Sequence, residues 1–259
     1  MAWTERLTLA ERAARAAGEL LRTRFGRHLL IRSKGVRSNL VTDADTQAEA
    51  LVRAMIARQF PDDAVLGEEE GLRGAGSARW IIDPLDGTTN FTHGYPFFSV
   101  SVAYEADGAV VLGVVYDPMR DELFVAQRGE PSRCNGGAIG VSKTAQLRDA
   151  LLVTGFPPFA GGEPPNLAPF EELMVRGQAL RRDGSAALDL CYVASGRFDA
   201  FWEPALHAWD IAAGALIVEQ AGGRVSDYRG GALVLDGGQI VASNRLIHDG
   251  MIEVLKNFA

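Results

Sequence analysis

The 259-residue chain predicts a layered α/β or α+β fold, and three features of its pattern carry that reading. Two stretches near the N-terminus place apolar residues at helical spacing. The middle of the chain consists of short apolar runs broken by turn residues, and the C-terminal part alternates helical with strand-like segments. Composition agrees, since 47% hydrophobic and 23% charged residues is the balance of a globular enzyme. A chain of this length buries about 70–75% of the surface it exposes when unfolded, so it needs neither disulfides nor a structural metal to form a core. Any metal it holds is therefore chemical rather than structural.

Residues 7–25 set Ala10, Ala13, Ala14, Ala17, Leu21 and Phe25 on one face with Glu and Arg between them, which predicts an amphipathic helix. Thr42 and Asp45 form a capping box, and Ala48, Leu51, Val52, Met55, Ile56 and Phe60 trace a second helical face until Pro61 stops it. Strands follow around Ala64–Leu66, Trp80–Ile82, Phe98–Tyr104, Val110–Tyr116 and Leu123–Ala126, with Asp107-Gly108 as a hairpin turn. This part reads as an antiparallel or mixed sheet. After a strand at Leu151–Thr154, the Gly- and Pro-rich segment 155–169 reads as a surface loop. Helices near 167–178, Ser185–Ser195, Ala208–Ala221 and Arg245–Phe258 then alternate with strands at Phe198–Trp202 and Ile240–Ala242, and Gly196 and Gly222-Gly223 serve as helix stops. No repeat or linker interrupts the chain. A soft boundary near residue 150 divides one compact unit into halves 1–150 and 151–259.

A net charge of −7, with no basic run longer than Arg181-Arg182, argues against a nucleic-acid or anionic-membrane surface and leaves small molecules as partners. An acidic protein that handles an anionic substrate needs cations to reverse the local field. Cys134 and Cys191 lie far apart without Cys-x-x-Cys spacing, so they read as small buried apolar residues rather than zinc ligands or a redox pair. Glu and Arg interrupt the apolar positions of the N-terminus, unlike a signal peptide, and no stretch reaches the ~18–20 apolar residues of a membrane span. The expected location is the cytoplasm.

Three acidic patches end apolar runs: Gly67–Glu70, Asp83–Phe91 and Trp209–Gly214. In the middle patch, Pro84 restricts Asp83 to an extended shape, and a turn would bring Asp86 to the same site. Two carboxylates that close stay ionised only with a cation between them, and hard divalent ions favour such oxygen ligands. Gly87 allows close backbone approach, and a helical turn starting there would aim free amides at a phosphate. Thr88 adds a hydroxyl that can orient a water. Metal carboxylates beside an anion-binding turn suggest phosphoryl transfer. Spacing alone does not bring the patches together: Asp-Gly is a common turn, a GEEE run suits a solvated face, and Asp210 suits a helix N-cap.

The strings GEE, WIIDPLDGTTNF, RRDGSAALDLCYVASGRFDAFWE and HAWDIAAGALIVEQAGG, with NLVTDAD at 39–45 and CNGG at 134–137, closely resemble the inositol monophosphatase family over nearly the whole chain. The resemblance implies the αβαβα sandwich shared with fructose-1,6-bisphosphatase, a homodimer and a magnesium-dependent, lithium-sensitive phosphatase. It assigns a first Mg2+ to Glu68, Asp83 and the Leu85 carbonyl, a second to Asp83, Asp86 and Asp210, and a weaker third largely to Glu68. It makes Glu68 and Thr88 position the attacking water, Asp45 orient Thr88, and the amides of Gly87 and Thr88 hold phosphate. Glu69 is given a supporting role only. Gly184, Ser185, Ala186 and Glu203 match the polyol-binding positions, although Glu203 also suits a structural ion pair. Ser185 stands where some members have Thr.

His207 is a candidate for the pocket wall, and Arg181 and Arg182 are expected in packing or a dimer contact. The 155–169 loop is where substrate choice can change. The expected substrate is a small phosphorylated polyol, foremost myo-inositol monophosphate. Alternatives are phosphatases of the same superfamily acting on fructose 1,6-bisphosphate, NADP or histidinol phosphate; the GTTNF ending disfavours relatives that handle phosphoadenosine phosphate. A different class is a non-catalytic accessory of the RNA-polymerase machinery, as in some bacterial relatives.

Overall fold

The computed structural model describes residues 3–27, 31–33, 40–159 and 161–259, and its layers follow from which side of each strand is apolar. In chain order the elements are α1 (Thr4–Arg24), β1 (Ile31–Ser33), β2 (Leu40–Thr42), α2 (Asp43–Gln59), β3 (Ala64–Gly67), β4 (Gly71–Arg73), β5 (Arg79–Asp86), α3 (Thr88–Thr92), β6 (Ser99–Ala106), β7 (Ala109–Asp117), β8 (Glu122–Gln127), β9 (Arg133–Cys134) and β10 (Gly137–Ala138). They continue as β11 (Leu151–Thr154), α4 (Leu167–Arg176), β12 (Ala179–Arg181), α5 (Ala186–Ala194), β13 (Ala200–Leu206), α6 (Ala208–Gln220), β14 (Arg224–Ser226), β15 (Gly238–Ser243) and α7 (His248–Leu255).

An eight-stranded sheet runs β10-β9-β8-β7-β6-β5-β3-β4, antiparallel except where β3 meets β5. A five-stranded sheet runs β12-β11-β13-β15-β14, and β1 pairs with β2 alone. Side chains alternate along each strand, so one strand feeds two cores. Trp80 and Ile82 of β5 enter an outer core with α1 and α2, while Ile81 enters a central core with α5 and α6. Likewise Phe201 of β13 faces the central core, while Ala200 and Trp202 face a third core with Leu173 of α4 and Met251 of α7. Three cores between five layers make the expected αβαβα sandwich.

The helices of the central layer lie close to the strands because small residues line the contact. Gly113 of β7 leaves no room for a methyl group: a Cβ there would stand 2.7 Å from the Ala213 carbonyl of α6 and 3.0 Å from its Cα.

The capping box of α2 forms as expected, with the Thr42 side chain accepting from the backbone and Asp45 returning a bond to the Thr42 amide. The predicted Asp107-Gly108 turn forms too. Asp107 and Gly108 adopt φ of 52° and 74°, and in the CNGG turn Asn135 and Gly136 adopt 48° and 81°. Several boundaries differ from expectation. The strand expected at Phe198–Trp202 starts at Ala200 and runs to Leu206, and α4 ends at Arg176 because Gly177 follows. The last helix begins at His248 rather than Arg245, whose φ of 74° is incompatible with a right-handed helix. The short strands β4, β12 and β14 carry too few apolar residues to announce themselves. Cys191 is buried, whereas Cys134 is only half-buried in the β9–β10 hairpin, contrary to expectation. Asn39 of the NLVTDAD motif and Ala160 of the 155–169 loop lie outside the described residues.

Substituting Gly113→Ala forces α6 away from the sheet along its backbone, which no rotamer change relieves. It is expected to cost about 1–3 kcal/mol of stability by urea denaturation; an unchanged midpoint would show that the two layers separate freely.

Candidate active site

The site begins with an irregularity at the end of β5. Asp83 pairs with Ser101 of β6 and Asp86 with Ser99, so three steps on one strand span two on the other, a β-bulge. In a regular strand residues three apart point to opposite faces. The extra residue returns Leu85 to the outer core and puts Asp86 on the same inner face as Asp83. The turn expected between the two carboxylates is therefore absent, and the bulge replaces it. Asp83 Oδ1 accepts from the Leu85 amide at 2.9 Å, which fixes the kink locally.

Gly87 follows with φ 98°, and a Cβ there would sit 3.0 Å from the Phe97 carbonyl. That glycine lets α3 start at Thr88 as the sequence suggests, leaving the first amides of the helix without intrahelical acceptors. Thr88 Oγ1 lies 3.1 Å from Asp45 Oδ1 and 3.0 Å from the Leu85 carbonyl oxygen. Asp45 is oriented in turn by the Thr42 amide at 2.9 Å and the Thr42 hydroxyl at 2.5 Å, both on Oδ2.

The C-terminal half supplies the other wall. At the start of α5, the Ser185 hydroxyl donates to Asp86 Oδ2 at 2.5 Å, the Ala187 amide donates to the same oxygen at 2.8 Å, and the Ala186 amide donates to Oδ1 at 3.3 Å. Asp210 is the third residue of α6 rather than its N-cap; its Oδ2 accepts from the amide of His207, which holds the cap position, at 2.6 Å. Glu68, Asp86, Gly87, Thr88, Gly184, Ser185, Ala186, Glu203 and Asp210 all line one cleft of about 300 Å³. Asp45, Asp83 and Leu85 are not part of its surface; they are buried behind its wall.

Two expectations about neighbours change. His207 does not line the cleft but stacks on Trp209, with ring centroids 4.6 Å apart. Arg182 does line it, and among the described residues its guanidinium makes no hydrogen bond or ion pair. Glu203 is buried at the cleft and is likewise in no ion pair among the described residues. The sequence reading missed Asn90, whose Nδ2 donates to the carbonyls of Phe97 at 2.7 Å and Asp183 at 2.8 Å and so ties the two walls together. The 155–169 loop, expected to bear on substrate choice, does reach the cleft and makes its apolar side through Phe156, Pro157, Pro158 and Phe159. Buried Asn166 fastens that loop by donating to the Gly155 carbonyl at 2.6 Å and accepting from Trp202 Nε1 at 2.9 Å. An Asn in a Pro-rich run carries no signal of either bond.

Burial dominates the electrostatics, and crowded acids add to it. Burial, then Glu68, Asp86 and Asp210, pushes the Asp83 carboxyl well above the usual range. Burial pushes Asp86 up to about 6 against the hydrogen bonds from Ser185, Ala187 and Ala186, and it pushes Asp45 up to about 6 as well. Glu203 is raised by burial and by Asp210 and Asp86. Such a set of oxygen donors, each disfavouring its neighbours' ionisation, suits a hard divalent cation. The fit is one of donor type and charge only: among the described residues no three acidic, His or Cys side chains come together in a group that could hold a metal ion.

The family model described as "Inositol monophosphatase family" matches residues 2–258. An inositol-1-monophosphatase of Mesorhizobium japonicum is 42% identical across 99% of this chain and 98% of its own. A Nus factor SuhB of Pseudomonas aeruginosa is 45% identical across 92% of this chain and 91% of its own. Among solved structures, an inositol monophosphatase from Anabaena (Nostoc) sp. superimposes with a TM-score of 0.88 at 40% identity, covering 99% of this chain and 97% of that one. One from Thermotoga maritima gives 0.90 at 36% identity, covering 98% of each.

The crowding makes a prediction about metal-free protein. Because the Asp83 carboxyl is raised, its ionised form is disfavoured in the folded state, and the resulting loss of stability is complete above the folded pKa and relieved as pH falls through it. Asp83→Asn is therefore expected to raise the melting temperature by on the order of a few degrees near pH 8, with a smaller gain near pH 5. Comparing variant with parent at each pH cancels the opposite trend from His248, which burial holds down to about 4 and which loses stability as pH falls from its ordinary value. A variant less stable than the parent at both pH values would contradict the crowding.

Proposed function

We propose, from the premise that the chain belongs to the inositol monophosphatase family, that it is a magnesium-dependent phosphomonoesterase acting on a small phosphorylated polyol, foremost myo-inositol monophosphate. One observation carries this: acidic residues from three distant segments, Glu68, Asp86 and Asp210, line the same cleft as the Gly87-Thr88 turn. In this reading Glu68, Asp83 and the Leu85 carbonyl hold one Mg2+, Asp83, Asp86 and Asp210 hold a second, and a third rests on Glu68. When bound, such ions lower the pKa of coordinated water and neutralise phosphate oxygens.

The protein's own groups do the rest. Glu68 positions the attacking water. Thr88 has two oxygen acceptors, Asp45 Oδ1 and the Leu85 carbonyl, for its single hydroxyl proton, so its lone pairs turn toward the cleft and orient that water. The amides of Gly87 and Thr88 hold phosphate oxygens as negative charge builds on them. Glu203 and the Gly184-Ser185-Ala186 turn receive hydroxyls of the leaving alcohol. The working unit in this reading is a homodimer, inhibited by lithium.

The Arg182 guanidinium favours one refinement of the substrate. It is the one cationic side chain among the described residues lining a cleft whose other ionic groups are carboxylates. An ester with a second anionic group, as in a sugar bisphosphate, would pair with it. A second role is also supported: likeness to proteins named Nus factor SuhB suggests contact with the transcription machinery, which the retained acidic set does not oppose. Recovery of RNA polymerase with the tagged full chain tests that role.

Asp86→Asn is expected to leave the far-UV spectrum unchanged and lower turnover of inositol monophosphate by on the order of 100-fold or more. An active variant with ordinary magnesium dependence would refute the assigned role. In a panel of phosphate esters assayed with and without lithium, Arg182→Ala should raise KM for doubly anionic esters by about 10-fold. It should leave that of neutral polyol monophosphates nearly unchanged; equal effects on both would remove Arg182 from substrate recognition.

A further inference from the structure

Asp45, Glu49 and Arg53 stand four residues apart on α2 and form one row along the helix. Asp45 reaches Thr88. The next two reach the turn between β3 and β4, whose first residue past the strand is Glu68. Glu49 is fully buried, and its carboxylate accepts from the Glu69 amide on Oε2 at 2.7 Å and from the Glu70 amide on Oε1 at 3.0 Å. Arg53 donates through Nε to Glu49 Oε1 at 2.7 Å, through Nη1 to the Val65 carbonyl at 3.3 Å and through Nη2 to the Gly71 carbonyl at 2.6 Å. The turn is thus held by two amides on a carboxylate and two carbonyls on a guanidinium, with the pair neutralising itself.

Space around the clamp is as tight as its bonding. A Cβ on Gly67 would fall 2.4 Å from Glu49 Oε1 and 2.7 Å from Arg53 Nη2, so only glycine admits the pair beneath the turn. A three-residue solvated connection needs no such device. The need arises from what Glu68 faces, since it lines the same cleft as Asp86 and Asp210, with Asp83 and Asp45 buried behind the wall. Like charges on that side push Glu68 outward on an otherwise short turn.

We propose that Glu49 and Arg53 are positioning residues for the cation site: they lock the main chain on both sides of Glu68 and hold its carboxylate in the cleft against the repulsion of its neighbours. The inference rests on the reading of Glu68 as a magnesium ligand and adds residues that do not touch the ion. In this arrangement α2 sets two parts of the site from one helix, the hydroxyl of Thr88 through Asp45 and the carboxylate of Glu68 through Glu49.

The test is calorimetric titration of Mg2+ into the metal-free full-length protein, beside the magnesium dependence of turnover. Glu49→Gln keeps the side-chain shape but offers one acceptor oxygen where two amides and a guanidinium need two. It should weaken Mg2+ binding by about 10- to 100-fold, as loss of a group that orients a metal ligand does. Turnover at saturating Mg2+ should stay within roughly 3-fold of the parent, because the ligands themselves are intact. Arg53→Lys keeps the charge beside Glu49 but lacks the fork that spans both carbonyls, and should weaken binding by about 3- to 10-fold; this variant decides the matter if Glu49→Gln does not fold. A purely structural pair would lower the melting temperature and leave the Mg2+ isotherm of the folded variants within about 2-fold of the parent, which would overturn the proposal. Glu68→Gln distinguishes the two layers of the reading: if it binds Mg2+ like the parent, the metal assignment fails first and the clamp has nothing to position.

Discussion

The join between Asp86 and the start of α5 is the interaction on which the rest depends. Asp86 belongs to the eight-stranded sheet, while the donors that hold it, Ser185 Oγ and the amides of Ala186 and Ala187, belong to the layer against the five-stranded sheet. A carboxylate buried this far is stable only with its oxygens bonded, so the layers cannot dock in another register without stranding it. Docking is thereby coupled to assembly of the cleft. Asn90 repeats the coupling nearby, binding a carbonyl from each wall.

Much of the fold was legible because its signals are local. The Thr42–Asp45 box, the Asp107-Gly108 turn and the stops at Gly196 and Gly222 each fix a backbone shape within a few residues, and each stands where expected. The candidate site was legible in part. Its acidic residues were visible at strand and helix starts, but their convergence rests on pairings up to a hundred residues apart, which no local pattern encodes. The bulge shows the limit best: Asp-Pro-Leu-Asp-Gly reads as a turn, and only pairing with Ser99 and Ser101 makes it a kinked strand. Arg182 is a related case, since nothing in the Arg-Arg dipeptide marks which of the two stands beside the cleft, and Arg182 does.

The acidic site runs against the stability of its own scaffold. Asp83, Asp86 and Asp45 each resist ionisation where they stand, chiefly because they are buried and also because acids face them, so the folded protein carries a cost that a hydrophobic replacement would remove. Main-chain tethers answer it one residue at a time: the Leu85 amide on Asp83, the His207 amide on Asp210, and Glu49 under the turn of Glu68. These bonds orient the carboxylates. In the proposed reading a cation meets donors whose direction is already set, a condition for tight binding of an ion that sheds its water reluctantly.

Chemistry and selectivity are carried by parts of different stiffness. The groups assigned to the reaction sit on β5, α2, α3 and α6, fixed by ladders and caps between packed layers, and on the β3–β4 turn, which Glu49 and Arg53 hold. The apolar side of the cleft instead comes from Phe156–Phe159, a loop pinned mainly through Asn166. Changes in that loop leave the carboxylate tethers untouched because none of those bonds passes through it. In the proposed reading one scaffold can accordingly keep its reaction and vary the alcohol it accepts.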